Sequence, residues 1–317
     1  MPGINGTVGR RGVLRTAALL PAALLPAALL PAVLMAGGAW SAERRTDGGL
    51  CALDWTSAQA LLALGIVPRG LPELDRYRRA VIEPAVPDGV PDIGARAEPN
   101  LELLDRLAPA RFISDGALSA VQGRLERIAP VTVHPPFDTR SDGDGEPGGQ
   151  LAFAIASLRG LAAGLGVPEA AERAVARLDR TLAAARDRLS GWEPRPLYIL
   201  SVLDGRRVLI HGRNSLYHDV LDRLGIANAW TGPSGPYGHA TVTMDRLAGR
   251  PDAKLVNIGS EGGRALEALA ALPLFAGLPF LREGRVTILP PILFYGGVPA
   301  AERFARLLGD GLAPHHG

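Results

Sequence analysis

The chain has 317 residues, with 34 Lys and Arg against 32 Asp and Glu, and a single cysteine. No basic run is interleaved with aromatics, which argues against a nucleic-acid partner, and one cysteine rules out an intrachain disulfide framework. The length suffices for two cores of ordinary domain size.

Residues 1–42 read as a signal peptide of the twin-arginine type. Arg10-Arg11-Gly12-Val13-Leu14-Arg15 is a charged head, Thr16 to Ala39 is uncharged and largely apolar, and small residues between Gly37 and Ala42 offer a cleavage site. The rival reading is an uncleaved anchor, since the run is long enough to span a bilayer. Pro21, Pro26 and Pro31 would each cost such a helix a hydrogen bond. Removing this segment takes away three arginines and no acid, which leaves 31 basic residues against 32 acidic ones. The high isoelectric point of the full chain is therefore no sign of a polyanion partner. Cys51 lies well past the apolar run behind Gly48-Gly49-Leu50, a poor lipoprotein site, and reads as inert packing in a first strand.

Beyond the signal, apolar strands alternate with helical stretches, the pattern of α/β layers. Leu50–Asp54 predicts a strand, and Thr56 or Ser57 caps a helix that ends at Gly65. Ile93-Gly94-Ala95-Arg96 puts an arginine on a glycine turn just ahead of the helix Leu101–Ala108, with Glu102 in its first turn. Arg111–Ser114 predicts the next strand. Asp138–Gly149 is acidic, Gly-rich and loop-like. Leu151–Leu165 predicts an amphipathic helix. Glu169–Leu189 predicts a longer one, with Ala174, Leu178, Leu182, Ala185 and Leu189 on one stripe, about 30 Å long at the α-helical rise. In the second half, Val208–His211 predicts a strand, Asn214 or Ser215 a cap, and Gly225 a helix end. Met244–Ala248 and Lys254–Ile258 follow as helix and strand, with Asp245 opening the helix. Strand–cap–helix–glycine thus occurs twice, as does helix–proline–strand, and the expectation is two similar lobes in series. The expected organisation is an N-terminal α/β lobe (43–167), a linking helix (168–190) and a C-terminal α/β lobe (191–317), with little hinge motion.

With these elements placed, the chain resembles the periplasmic iron(III)-hydroxamate, ferrichrome-type siderophore-binding proteins of ABC importers. The resemblance rests on ordered segments: residues 60–68, Glu98-Pro99-Asn100-Leu101-Glu102, Arg127-Ile128-Ala129-Pro130, Asn214-Ser215-Leu216, Gly225-Ile226-Ala227-Asn228-Ala229-Trp230, Asp245-Arg246-Leu247-Ala248 and Phe294-Tyr295-Gly296. It implies the class III, helical-backbone architecture, with a ligand in a shallow interlobe cleft. It also implies a periplasmic location, no catalysis and no resident cofactor, the iron being held by the siderophore. Arg96 matches the family arginine that donates to hydroxamate oxygens, a role suited to a planar multi-donor cation. Tyr77, Trp230, Phe294 and Tyr295 match family aromatics, Tyr237 stands where the family has tryptophan, and His239 where a small hydroxyl residue is expected. Ala80, Ser114, Leu118 and Leu293 replace aromatics, so a wider, less aromatic pocket is expected. Glu102 and Asp245 match acids that dock on the importer's permease subunit; each also complements its helix dipole. The expected form is a monomer.

Other readings follow from the same residues. The six histidines include His134, His211, His218 and the tail pair His315-His316, and none has the i, i+4 spacing that favours a zinc site. No nucleophile elbow, phosphate-binding loop or dinucleotide fingerprint occurs. The alternatives are a receptor for another metal chelate (a catecholate or carboxylate siderophore, or a corrinoid) and a periplasmic siderophore-processing enzyme.

Overall fold

A computed structural model describes residues 49–139, 149–204, 206–259, 264, 270–271 and 276–314. The signal reading and the pair His315-His316 lie outside these residues. In chain order the first half runs β1 (Leu50–Ala52), α1 (Trp55–Ala63), α2 (Leu74–Ala80), α3 (Leu101–Leu107), β2 (Arg111–Ser114), α4 (Gln122–Leu125), β3 (Val131–Val133) and α5 (Gly149–Gly164). Its sheet is three parallel strands in the order β1-β2-β3. The spine α6 (Pro168–Arg188) follows. The second half runs β4 (Leu197–Val202), β5 (Arg207–His211), α7 (Leu216–Leu224), β6 (His239–Thr243), a 3-10 turn (Met244–Gly249), β7 (Lys254–Ile258), the short α8 (Pro279–Arg282), β8 (Val286–Leu289) and α9 (Gly297–Leu312). Its sheet is mixed, in the order β6-β5-β4-β7-β8.

The two sheets share a parallel core but not the correspondence expected from sequence. In the first, β2 sits between two parallel neighbours; in the second, β7 sits between β4 and β8 in the same way. The counterpart of β1 is therefore β4, and the strand expected to match it, β5, is an antiparallel addition on the edge of β4. The likeness of Val208–His211 to Leu50–Asp54 is one of local punctuation, since both precede a capped helix. The caps differ as well. Ser215 caps α7 as expected, accepting from His218 N, whereas α1 is capped by Asp54 rather than by Thr56 or Ser57. The Asp54 carboxylate accepts from the Thr56 hydroxyl at 2.6 Å, from Ser57 N at 2.7 Å and, across to the end of β2, from Asp115 N at 2.7 Å. One buried acid thus closes a helix start and ties two strand ends together.

The spine buries Ala174, Leu178, Leu182 and Ala185 as its stripe predicts, with Leu189 half-buried at its end. The C-terminal helix α9 lies along it at close range, because a Cβ added at Gly309 would meet Ala185 Cβ at 3.0 Å. From α9, Arg303 and Arg306 both bond the carboxylate of Glu83 in the first half, Arg306 reaching each oxygen at 2.8 Å. A second tie joins Leu151 N, in α5, to Asp219 of α7 at 2.8 Å. Of these groups Arg303 is the buried one, so removing Glu83 would leave a buried charge without its partner, which is costly. Cys51 is fully buried, its thiol donates to Gly70 O at 3.3 Å, and burial pushes its pKa up to about 12, which fits inert packing. Among the described residues no helix is long and apolar enough to cross a membrane.

Candidate functional site

The first wall grows from the carboxyl end of β1, the edge at which open parallel sheets present their loops to ligands. Immediately after the Asp54 cap stands Trp55, its Nε1 donating to Pro72 O at 3.0 Å. Arg96 sits over its ring, the guanidinium carbon 3.8 Å from the ring centroid, a cation–π platform. The glycine turn ahead of Arg96 is present, with Gly94 at φ +96°. Arg96 is gripped from below by Glu73, whose carboxylate accepts from Arg96 N at 3.3 Å and from Arg96 Nε at 3.2 Å. Glu73 itself holds a left-handed backbone (φ 50°, ψ 48°), a conformation that costs a non-glycine residue energy. Asp92 supports it by accepting from Glu73 N at 3.1 Å and Leu74 N at 2.8 Å. Among the described residues the Nη atoms of Arg96 have no protein partner, and the side chain keeps 29% exposure. One edge of the guanidinium is therefore fixed and the other is free to donate.

The second wall is a cluster of rings. His211 and His239 are register partners across β5 and β6, with centroids 6.1 Å apart. Phe294 packs edge-on to His239 at 4.9 Å and to Tyr295 at 4.7 Å, and Tyr237 lies 6.4 Å from both His239 and Tyr295. Tyr237 is half exposed. Gly238 makes this turn possible, since its φ is +73° and an added Cβ would come within 2.5 Å of Ser215 Cα. Burial pushes the His211 pKa down to about 3, with nearby His239 adding to the effect, and burial also lowers that of His239. Both rings are neutral at pH 7. His211 Nδ1 and His218 Nδ1 are buried without a protein hydrogen-bond partner. His134 is buried too, with Ser157 Oγ 3.0 Å from its Nδ1.

Two contacts join the walls. Gln59 follows Trp55 by one helical turn, about 6 Å along α1, and its Oε1 abuts Gly296, next to Tyr295. Phe137, four residues past the end of β3, stacks on Tyr237 at 6.0 Å. The structure thus gathers Tyr237, His239, Phe294 and Tyr295 into one ring cluster of the second lobe and sets Arg96 on Trp55 in the first.

Two expected wall residues are, like Trp55 itself, buried. Tyr77 is fully buried, edge-on to Trp55 at 6.4 Å, with its hydroxyl donating to Pro84 O at 2.8 Å. Trp230 is 8% exposed within the second lobe's core, its Nε1 donating to Pro233 O at 3.3 Å. Of the positions expected to widen the pocket, Ser114 and Leu293 are buried and Ala80 and Leu118 half-buried. Glu102 and Asp245 are both exposed, one in the first turn of α3 and the other in a 3-10 turn rather than an α-helix. Trp55, Glu73 and Phe137 were not foreseen. A lone tryptophan directly after a first strand was the one available signal; the reach of Glu73 across 23 residues left none.

Two α/β lobes on a helical spine, one carrying a cation on a tryptophan and the other a cluster of rings, define a two-lobed architecture. The chain belongs to the periplasmic binding protein family, whose model matches residues 50–293. It is 36% identical over 263 residues to the iron(3+)-hydroxamate-binding protein FhuD of Escherichia coli, covering 83% of this chain and 86% of that one. Among solved structures, the Fe3+–Desferal-bound siderophore-binding protein FhuD of Vibrio cholerae superposes with a TM-score of 0.74 at 26% identity, covering 84% of this chain and 99% of that one. The triscatecholate siderophore-binding protein FeuA of Bacillus subtilis shares the fold, with a TM-score of 0.60 at 13% identity over 84% of this chain and 92% of that one.

Proposed function

We propose that this protein is a periplasmic receptor that captures a ferric hydroxamate siderophore between its lobes and passes it to the permease subunit of an ABC importer. The observation that carries the reading is Arg96, laid on Trp55 with one edge anchored and its Nη donors free. A tris-hydroxamate cage around Fe3+ is neutral overall, yet its ligand oxygens concentrate negative character. A guanidinium donates to such oxygens without competing for the metal. Tyr237, His239, Phe294 and Tyr295 supply the apolar surface that the organic shell needs. The 36% identity to a hydroxamate-binding relative supports the same ligand class.

In this reading the protein exports by the twin-arginine signal of residues 1–42, works as a monomer without resident cofactor or catalysis, and offers the exposed Glu102 and Asp245 to the permease. Adding a ferric hydroxamate to the purified protein should quench tryptophan fluorescence saturably, through Trp55. No quenching and no heat of binding with any of several ferric hydroxamates would overturn the proposal.

A further inference from the structure

The chemistry that selects one ferric chelate over another begins with charge, and the surroundings of Arg96 are unusual in this respect. The guanidinium is not a lone cation. Glu73 holds it through two contacts, at the backbone N and at Nε. The same carboxylate accepts from Arg76 Nη1 at 3.2 Å, and Arg76 also lies over Trp55, 5.4 Å from the ring centroid. Asp92 stands directly behind, accepting from Glu73 N and from Gly94 N at 2.8 Å. Two guanidiniums and three carboxylates, Asp54 among them, therefore gather about the Trp55 platform, and these groups leave the wall no net positive charge. In the second lobe's ring cluster, His211 and His239 are neutral at pH 7. The hydrogen-bonding capacity of Arg96 is kept while its net attraction for anions is removed.

We propose that Glu73 is a specificity-determining residue of the cleft, positioning the Arg96 donors and cancelling their charge so that the site takes neutral ferric chelates and discriminates against anionic ones. The inference rests on the reading of Arg96 as the donor to the chelate. The placement argues for design over accident. Glu73 adopts a left-handed backbone to reach Arg96, and three backbone N–H groups are spent on the Asp92 carboxylate that keeps it there. A free lysine or arginine in this place would bind a triply anionic tris-catecholate far better than a neutral cage of similar size.

The test titrates the purified protein at low ionic strength with two probes, a neutral ferric tris-hydroxamate and a triply anionic ferric tris-catecholate. The readout is the ratio of their dissociation constants. Glu73→Gln, which keeps the shape and removes the charge, should shift that ratio about tenfold or more toward the anion, as three ligand charges across roughly 10 Å of part-solvated cleft require. Glu73→Asp keeps the charge but shortens the reach; it should weaken the neutral chelate and leave the ratio within about threefold of wild type. Arg76→Gln, at a side chain 61% exposed and so tolerant of change, should move the ratio about threefold the other way. A ratio unchanged in Glu73→Gln, with the wild type binding the hydroxamate, overturns this inference alone. A wild type that binds neither probe overturns the proposed function and this inference together. Should Glu73→Gln fail to fold, an unchanged ratio in Arg76→Gln overturns it equally.

Discussion

The two walls of the cleft are built by different means. The first lobe offers a cation fixed by polar contacts at the end of an all-parallel three-stranded sheet. There, loops leave the strand ends and can be tied by side chains such as Asp54, Asp92 and Glu73. The second lobe carries the same parallel core plus the antiparallel β5 and β6 on one edge, and their ends display rings: His211, His239 and, beside them, Tyr237. A hydrogen-bonded charge must be held in one geometry to be useful, whereas an aromatic wall tolerates variation in the organic shell it contacts. Directional recognition on one side and adaptable burial on the other is the division that follows.

The largest effect should come from cutting the tie that keeps the walls in register. Glu83→Ala leaves Arg303, itself 4% exposed, without its carboxylate, and should destabilise the protein by about 3 kcal/mol, the low end for a broken buried pair because Glu83 is part-exposed. Urea unfolding measures this; a loss under about 1 kcal/mol would show that the lobes are held by the spine alone. Gly238→Ala attacks the second wall, placing a Cβ against Ser215 in a backbone region hostile to it. It should cost about 2 kcal/mol of stability and weaken ligand binding, and intact binding would mean that the Tyr237 turn is not part of the wall.

On the first wall, Arg96→Ala should weaken ferric hydroxamate binding by about 1.5–3 kcal/mol, the worth of a charged hydrogen bond. Trp55→Leu should cost about 1 kcal/mol of the same affinity by freeing the guanidinium. If the tryptophan change proved the more damaging of the two, ring contact rather than donation would dominate. Acid should act on stability through a buried ring of the second lobe. His211 is neutral when folded, with a pKa near 3, but takes up a proton near pH 6.5 when unfolded. The unfolded state thus binds more protons between these values, and stability should fall as pH drops below about 6.5, by up to about 1.4 kcal/mol per pH unit from this residue. His211→Gln should flatten that slope; an unaltered slope would assign it to His134, whose pKa burial lowers to about 4.

How far the sequence reached depended on the range of the forces involved. The spine, β2, β7 and the Ser215 cap were legible because stripe, strand run and cap are local signals. The pairing of β4 with β7, which overturned the expected matching of β1 with β5, is set by burial between distant segments and leaves no trace in spacing. Within the candidate site, Arg96 stood out through its glycine turn and family likeness, and Phe294 and Tyr295 through the family likeness alone. Tyr77 and Trp230 are buried, because a large aromatic serves a core as well as a cleft, and only the surroundings decide. Glu73 was invisible: nothing in an ordinary acid ahead of a short helix announces a left-handed backbone or a partner in another loop.

A crystal structure of the protein loaded with a neutral ferric tris-hydroxamate would show whether Arg96 holds the chelate. The Nη atoms of Arg96 should lie about 2.7–3.0 Å from hydroxamate oxygens, with Nε still on Glu73 and the organic shell against Tyr237 and Phe294. An iron complex seated elsewhere, with Arg96 facing solvent, would contradict it.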